Sequence, residues 1–345
     1  MGASLPEVDR ERRHSGRQET PTRTGSRRGG VLRRAVPVAI ALAALAGLVL
    51  VVNPRSLAAA LSRFNAVVAP LVVLLAVGWF VLQGVRWHFL LRVAGSGLRM
   101  GDSTLLSIAG QTITALLPLG DLTRAVFAAD AAGLEIGAAA ATVTVQELTF
   151  TLFLVLLATP GMIALHLGTG IVAAVIAGVL GIFAILTVPP LFRIVRRTAA
   201  LLPLPRRVLA QVDELQLETV GLLRRRDTLG WSLLDLARAA VGATVLWLIV
   251  QGLDPGTVSW WKAAFVVAVA YVGGAVSFLP GGTGANDASV VGLLVLLGLD
   301  PGTAAAAALL QRVLFTGLAA GLGLAAYLIV RRRFELGGLL THHAR

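Results

Sequence analysis

The chain has 345 residues, 56% hydrophobic and only 14% charged, and a mean hydropathy of +0.81 excludes a soluble domain of this length. The net charge of +12 is carried almost wholly by arginine, Lys262 being the single lysine. The arginines gather at the ends of apolar runs, as the positive-inside rule requires, and not along a folded basic face, so nucleic acid is not the expected partner. The absence of cysteine excludes disulfides and thiolate metal sites. A lone lysine placed after Trp261 excludes a P-loop, a kinase lysine and a Ser-x-x-Lys nucleophile, which counts against ATP-driven pumping by this chain alone. The five histidines show no metal-ligand spacing, and no cofactor is expected.

Residues 1–34 are polar and rich in arginine, and read as a disordered cytoplasmic tail held near anionic headgroups. A transmembrane domain follows at 35–333, with a short cytoplasmic tail at 334–345. Its first span is Ala35 to Val52, longer than a usual signal segment and therefore retained. The second runs from about Ala66 to Leu82, with Trp79, Arg86, Trp87 and Arg92 marking its cytoplasmic end. Residues 103–128 are too interrupted for one helix and suit two short pieces meeting at Pro118-Leu119-Gly120. Full spans follow from about Ile136 to Leu157, closed by Pro160-Gly161, and from Gly168 to Val188, closed by Pro189-Pro190.

Residues 191–230 interleave arginines with leucine and valine, which predicts an amphipathic cytoplasmic loop. Spans at 231–250 and 258–278 come next. The apolar stretch 286–299 gives only about 21 Å of helix against about 30 Å of hydrocarbon, so it crosses part of a bilayer. A long helix from Thr303 to Val330 is stopped by Arg331-Arg332-Arg333. The string Gly-Leu-Asp-Pro-Gly-Thr occurs twice, at 252–257 and 298–303, and reads as a helix end, an Asp N-cap and a Pro at the first helical position. With both termini cytoplasmic, all basic clusters are accommodated except Arg55 and Arg63. The fold expected is an all-α polytopic membrane protein, with about 7–8 transmembrane helices and two broken or re-entrant segments in two pseudo-repeated halves.

The two breaks carry the chemistry. The first is Pro118-Leu119-Gly120-Asp121 with Arg124; the second is Pro280-Gly281-Gly282-Thr283-Gly284 with Asp287. Broken backbone at membrane depth survives only inside protein or beside a wet cavity, and ionisable groups there are functional suspects. Asp121 and Arg124 stand at i and i+3, so they suit either a local pair or a phosphate contact beside a helix N-terminus. Gly281, Gly282 and Gly284 permit close backbone approach ahead of a short helix. Each break is followed about 30 residues later by a polar pair within an apolar helix, Gln146-Glu147 and Gln311-Arg312. Glu147 and Arg312 are candidates for an ion pair between the halves, one that an anionic substrate could break. Asp235 and Arg238 read as an intrahelical pair snorkelling to the interface.

At these residues the sequence resembles the lysylphosphatidylglycerol synthase transmembrane region, a flippase-like domain. That family shows Pro, a short spacer and Gly-Asp/Glu-x-x-Arg in the first half, matched here by Gly120 to Arg124. It shows Pro-Gly-Gly-x-Gly-x-x-Glu in the second, matched by Pro280 to Asp287 with Asp for Glu, and then an arginine matched by Arg312. Where the family has Glu-Arg-Leu, this chain has Gln146-Glu147-Leu148. The resemblance implies movement of aminoacylated or glycosylated lipids across the bilayer, without the soluble aminoacyl-transfer domain that some members carry.

These readings converge on a lipid translocase. Its substrate-binding candidates are Asp121, Arg124, Glu147, Gly281, Gly282, Gly284, Asp287 and Arg312, and its partners are membrane lipids. The competing readings are a membrane-embedded transferase acting on a lipid-linked substrate, with Asp121, Glu147 or Asp287 as base, and a scaffold that recruits a separate lipid-modifying synthase or glycosyltransferase.

Overall fold

The computed structural model describes residues 54–114, 121–166, 169–199, 206–277 and 284–333. The expected first span at 35–52, both tails, Pro118 to Gly120, and Gly281 and Gly282 lie outside them. Among the described residues the structure is helical, without strands. In chain order the helices are α1 (Pro54–Ser62), α2 (Ala69–Val93), α3 (Met100–Thr114), α4 (Asp121–Ala132), α5 (Ile136–Ala164), α6 (Thr169–Thr187) and α7 (Pro189–Ala199). They continue with α8 (Arg206–Leu223), α9 (Arg226–Trp231), α10 (Leu233–Leu253), α11 (Trp260–Val276), α12 (Ala285–Leu296) and α13 (Pro301–Arg333).

Polarity runs inside out. Leu74, Ile163, Leu296 and Val313 face outward, while Gln83, Arg86, Arg124, Gln146, Asp235 and Arg238 are buried. Water would reverse that arrangement, since exposed polar groups and buried apolar ones are what hydration favours. Hydrocarbon selects the one observed, because there a polar side chain finds partners only inside the bundle. Four helices are long and apolar enough to cross a bilayer: Ala66–Val93, Ile136–Ala164, Arg226–Leu253 and Pro301–Val330. Counting the bent pair of α6 and α7, which meet at 80°, gives five. The larger number read from sequence includes the run at 35–52 and the shorter helices described next.

Contacts sort the helix termini into two opposite ends. At one end Arg333 meets Asp102 at 2.8 Å, and Phe89 stacks on Trp231 at 3.5 Å. There too the start of α5 approaches α8, where Gly137 faces Glu214. This end joins the finish of α2, α4 and α13 to the start of α3, α5 and α10. At the other, Asn65 N–H donates to the Gly252 carbonyl at 2.8 Å, Gly302 packs on Ser56, and Gly161 packs on the Trp261 carbonyl. The exposed Arg92, Arg99, Arg224, Arg225, Arg226, Arg332 and Arg333 all belong to the first end.

Two hairpins follow from this sorting. α3 starts at the basic end and α4 returns to it; α11 starts at the opposite end and α12 returns there. Gly110 lies directly against the Arg124 side chain across the first turn-back, and Gly273 faces Ser289 across the second. Glycine lets each pair of helices approach to backbone distance just where the chain reverses. The hairpins therefore point toward each other from opposite ends of the bundle. Trp87, Leu91, Leu106, Ala125, Ala128 and Val143 form the core around the first. Leu246, Ile249, Val266, Val290, Leu294 and Ala304 form that around the second.

Several local expectations change. Helix α5 does not stop at Pro160-Gly161 but continues to Ala164. The lost proline N–H costs one backbone bond, while Leu154, Ala158 and Met162 pack against Phe265 and Ala268 of α11 and hold the last turns in place. Helix α2 reaches Val93, so Trp79, Arg86 and Trp87 lie inside the bundle, and only Arg92 marks its exposed end. Residues 191–230 are largely helical, as α7, α8 and α9. The two copies of Gly-Leu-Asp-Pro-Gly-Thr fold differently. In the second, Gly298 turns at φ 103° and Asp300 caps α13, with Pro301 at the first helical position. In the first, Phe64 and Val68 pack on Gly252 and keep it helical. The positive φ then falls on Gly256, and the next helix begins only at Trp260.

Candidate functional site

Glu147 is the twelfth residue of α5 and Arg312 the twelfth of α13. At 1.5 Å per residue each lies about 16 Å inside its helix, close to half of a 30 Å hydrocarbon layer. The two helices start from opposite ends, so each residue lies well inside the bundle, beside the tip of the hairpin that precedes it.

At the first tip Arg124, on the opening turn of α4, is fully buried and donates from Nη2 to Glu147 Oε1 at 2.9 Å and from Nη1 to Gln146 Oε1 at 3.3 Å. Tyr271 of α11 donates its hydroxyl to Glu147 Oε2 at 2.8 Å. Arg238 of α10 brings Nη1 within 3.5 Å of Glu147 Oε1. Its guanidinium lies between the rings of Trp79 and Phe150, 4.0 and 4.1 Å from their centroids. Such stacking suits a planar, weakly hydrated cation far better than an ammonium. Gln83 of α2 ties these groups together: its amide oxygen, placed by the surrounding donors, accepts from Arg124 at 2.8 Å and from Arg238 and Gln111 at 3.2 Å. Gln146 in turn donates to the Gln83 carbonyl at 2.7 Å. Glu147 keeps 22% of its side chain exposed, whereas Arg124 and Arg238 are closed off.

At the second tip Asp287, on the first turn of α12, accepts a two-pronged contact from Arg312 of α13. Nε meets Oδ1 at 2.9 Å and Nη2 meets Oδ2 at 2.7 Å. Oδ2 also accepts the Gly284 N–H at 3.2 Å, and Gly284 sits at φ 85°, where a side chain would be strained. The first half thus presents arginine on the hairpin and glutamate on the long helix, and the second presents aspartate on the hairpin and arginine on the long helix. Phe315, one turn beyond Arg312, meets Trp79 edge-on at 5.4 Å and so joins the two centres through aromatic contacts.

Next to the first centre Arg86 donates from Nε to Asp235 Oδ2 at 2.8 Å and from Nη2 to the Ser232 hydroxyl at 3.1 Å. The Thr149 hydroxyl, two residues after Glu147, lies 2.6 Å from the same Asp235 oxygen. Arg86, Arg124 and Arg238 against Glu147 and Asp235 leave a surplus of one positive charge in a buried cluster. Arg238 Nε and Nη1 have no hydrogen-bond acceptor among the described residues. Leaving a buried charged donor unbonded is costly, and an anion of tetrahedral oxygens would relieve that cost. No group of three His, Asp or Glu residues able to hold a metal occurs among the described residues.

The structure assembles Arg124 with Glu147, and Asp287 with Arg312 and Gly284, but it does not pair Glu147 with Arg312. Each finds its arginine or aspartate partner at the hairpin tip of its own half, already in contact with the helix that follows, and Glu147 is met from the second half by Tyr271 and Arg238 instead. Asp235 and Arg238 are not an intrahelical pair reaching for the interface either: both are buried, Asp235 facing α2 and Arg238 facing the aromatic rings and Glu147. Asp121 opens α4; Gly281 and Gly282 fall outside the described residues. Gln83, Arg86, Thr149, Asp235, Arg238 and Tyr271 enter the site without having been anticipated. The available signal was the spacing of Gln83 and Arg86, and of Asp235 and Arg238, at i and i+3 in otherwise apolar helices.

A comparison with curated proteins finds no match. The sequence pattern of the lysylphosphatidylglycerol synthase TM region matches residues 36–323, most of the chain and all of the charged centre, and the protein therefore belongs to that family of lipid-related membrane domains.

Proposed function

We propose that this protein is a lipid translocase that carries an anionic, aminoacylated or glycosylated phospholipid, or a polyprenyl-phosphate lipid, across the cytoplasmic membrane. The hairpins α3–α4 and α11–α12 are then re-entrant, entering from opposite faces, and the basic end of the bundle faces the cytoplasm, the compartment to which the charge pattern also assigns both termini. The observation that carries the reading is the buried cluster of three guanidiniums and two carboxylates, with donors on Arg238 that have no hydrogen-bond acceptor among the described residues. A lipid phosphate takes the place of Glu147 between Arg124 and Arg238. Glu147, already partly exposed, swings away, and the acyl chains stay in hydrocarbon. Only the headgroup needs a polar path, so modest binding energy suffices. The protein acts as a transporter and not as an enzyme, and a separate synthase or glycosyltransferase supplies the lipid.

Purified protein reconstituted into liposomes with labelled phosphatidylglycerol tests this directly. Movement between leaflets without chemical change, lost in Arg124→Gln and Arg238→Gln, is the expected result. Chemical conversion of the lipid would establish a transferase instead. Absence of both, with a lipid synthase bound, would establish a scaffold.

A further inference from the structure

Asp235 takes no part in holding the headgroup, yet it is wholly buried beside the residues that do. Its Oδ2 carries both contacts, from Arg86 and Thr149, while Oδ1 has no hydrogen-bond partner among the described residues. An ionised carboxylate is an acceptor at both oxygens, so an unbonded one weakens the case for permanent charge. The charged groups that act on it are Arg86 from α2 and Arg238 one turn along its own helix. Glu147 of α5 is turned to Arg124 and Tyr271, and His88 of α2 is turned to Ser103 at 3.1 Å.

Thr149 fits either protonation state of this carboxyl. Its Oγ1 lies 2.6 Å from Asp235 Oδ2, 2.9 Å from the Val145 carbonyl and 3.1 Å from the Gln146 carbonyl. A hydroxyl has one proton to give and lone pairs to accept with. With Asp235 ionised, the threonine proton points to Oδ2. With a proton bound on Oδ2, the carboxyl donates to Oγ1, and the threonine proton turns to the Val145 carbonyl. One O–H bond forms at Oδ2, the incoming proton comes from solvent, and no backbone has to move. Arg86 keeps its charge and retains the Ser232 hydroxyl as acceptor.

We propose that Asp235 is a proton-binding residue coupled to the anion site, so that a proton is taken up as an anionic headgroup binds at Arg124 and Arg238. The inference rests on the anion-binding reading above. A headgroup at Arg238 enters the cluster while the displaced Glu147 stays ionised on α5, so the cluster gains one negative charge, and a neighbouring like charge favours the neutral acid. Glu147 escapes the same effect by moving toward its exposed side. Asp235 is enclosed and relieves the repulsion only by accepting a proton. Linkage is reciprocal, so acid conditions must tighten anion binding by the same factor as the anion promotes protonation.

The test measures binding of dihexanoyl phosphatidylglycerol, whose phosphodiester does not titrate near neutrality, to the full chain in detergent across a range of pH. The native protein is expected to bind about tenfold more tightly in acid than in alkali, a coupling of ordinary size. Asp235→Asn should bind at the acid-like affinity throughout, and Thr149→Val should move the midpoint. His88→Gln should keep both the affinity and the pH dependence, and Glu147→Gln, which removes the group the headgroup displaces, should bind more tightly with the pH dependence kept. Binding by the native protein that is indifferent to pH overturns the coupling and leaves the anion site standing. Retention of the dependence in Asp235→Asn, or its loss in His88→Gln or Glu147→Gln, assigns the proton elsewhere. Absence of binding at every pH removes the anion site and the coupling together.

Discussion

Arg312 grips Asp287 through two parallel hydrogen bonds of 2.9 and 2.7 Å, and the pair ties the long helix α13 to the tip of the hairpin before it. Arg124 and Glu147 stand in the same relation at 2.9 Å with the charges exchanged. Each half therefore closes its own break with an ion pair, and the halves meet through Trp79, Phe80 and Phe315 and through Tyr271 and Arg238 on Glu147. The exchange of sign makes one centre electropositive, through the added Arg238, and leaves the other neutral.

Thermal stability in detergent should show this pairing. Removing one partner of a buried pair leaves an uncompensated charge and costs about 3–5 kcal/mol. Asp287→Asn and Arg312→Gln are each expected to be strongly destabilising and the double variant less so than their sum. Glu147→Gln with Arg312→Gln should be additive, because contacts confined to separate networks add. Strong coupling between Glu147 and Arg312 would contradict the arrangement.

Arg238→Lys separates charge from shape. Lysine keeps the cation but loses the flat guanidinium held over Trp79 and Phe150 and the fork that a phosphate engages. Lipid transfer should fall by about tenfold or more, while the melting temperature changes little, since each cation–π contact is worth about 0.5–2 kcal/mol and an ammonium keeps part of it. Transfer at the native rate would show that the guanidinium is not a ligand.

The lipid-facing and helical character of this chain was legible because hydrocarbon imposes period-independent apolar runs, and the breaks at Pro118 and Gly281 interrupt them visibly. The positions of the hairpins were legible for the same reason. Partnership was not. Glu147 and Arg312 follow a glutamine in equivalent helices, and that similarity suggested a mutual pair. Spatial neighbours are instead set by the hairpin turn-backs, as Gly110 against Arg124 shows. Arg86 and Arg238 looked like interface anchors because arginine at a helix end commonly snorkels. Only the direction each side chain takes, toward Asp235 or between two rings, distinguishes an anchor from a site residue. The two copies of Gly-Leu-Asp-Pro-Gly-Thr show the same limit: Phe64 against Gly252 overrides local capping chemistry.

The two hairpins should differ in tolerance to a methyl group. A Cβ at Gly110 would fall on the Arg124 side chain, whereas one at Gly273 would meet, among the described residues, only the Ser289 hydroxyl at 3.2 Å. Overpacking of the first kind costs about 1–3 kcal/mol. Gly110→Ala is expected to lower both stability and lipid transfer, with Gly273→Ala close to native in each. Equal effects in melting and transfer assays would mean that the first hairpin opens freely around Arg124.

Orientation can be read with single cysteines, since the native chain has none. Positions Ser15, Gln211 and Thr341 should resist a membrane-impermeant thiol reagent applied to intact cells, and Gly256, exposed at the opposite end, should react. The expectation follows from the arginines gathered at one end of the bundle. External labelling at Gln211 would invert the assignment.

Asp300 offers a pH-dependent test outside the spans. Its carboxyl accepts from the Thr303 hydroxyl and from the N–H groups of Gly302 and Thr303, at 3.0 and 3.1 Å for the last two. The Thr303 hydroxyl bond foremost, with those backbone bonds, holds its pKa below the usual carboxylate range, against a smaller opposing effect of burial. A depressed folded-state value means stability that is present above the unfolded pKa, about 3.9, and lost as pH falls through the lower folded value. Asp300→Ala should therefore cost about 0.5–1 kcal/mol at neutral pH, the lower part of the N-cap range because the group is solvent-exposed. Melting curves of the two proteins should stay separated down to about pH 4 and converge in stronger acid. A gap that persists or widens in acid would show that the neutral carboxyl caps α13 as well as the ionised one does.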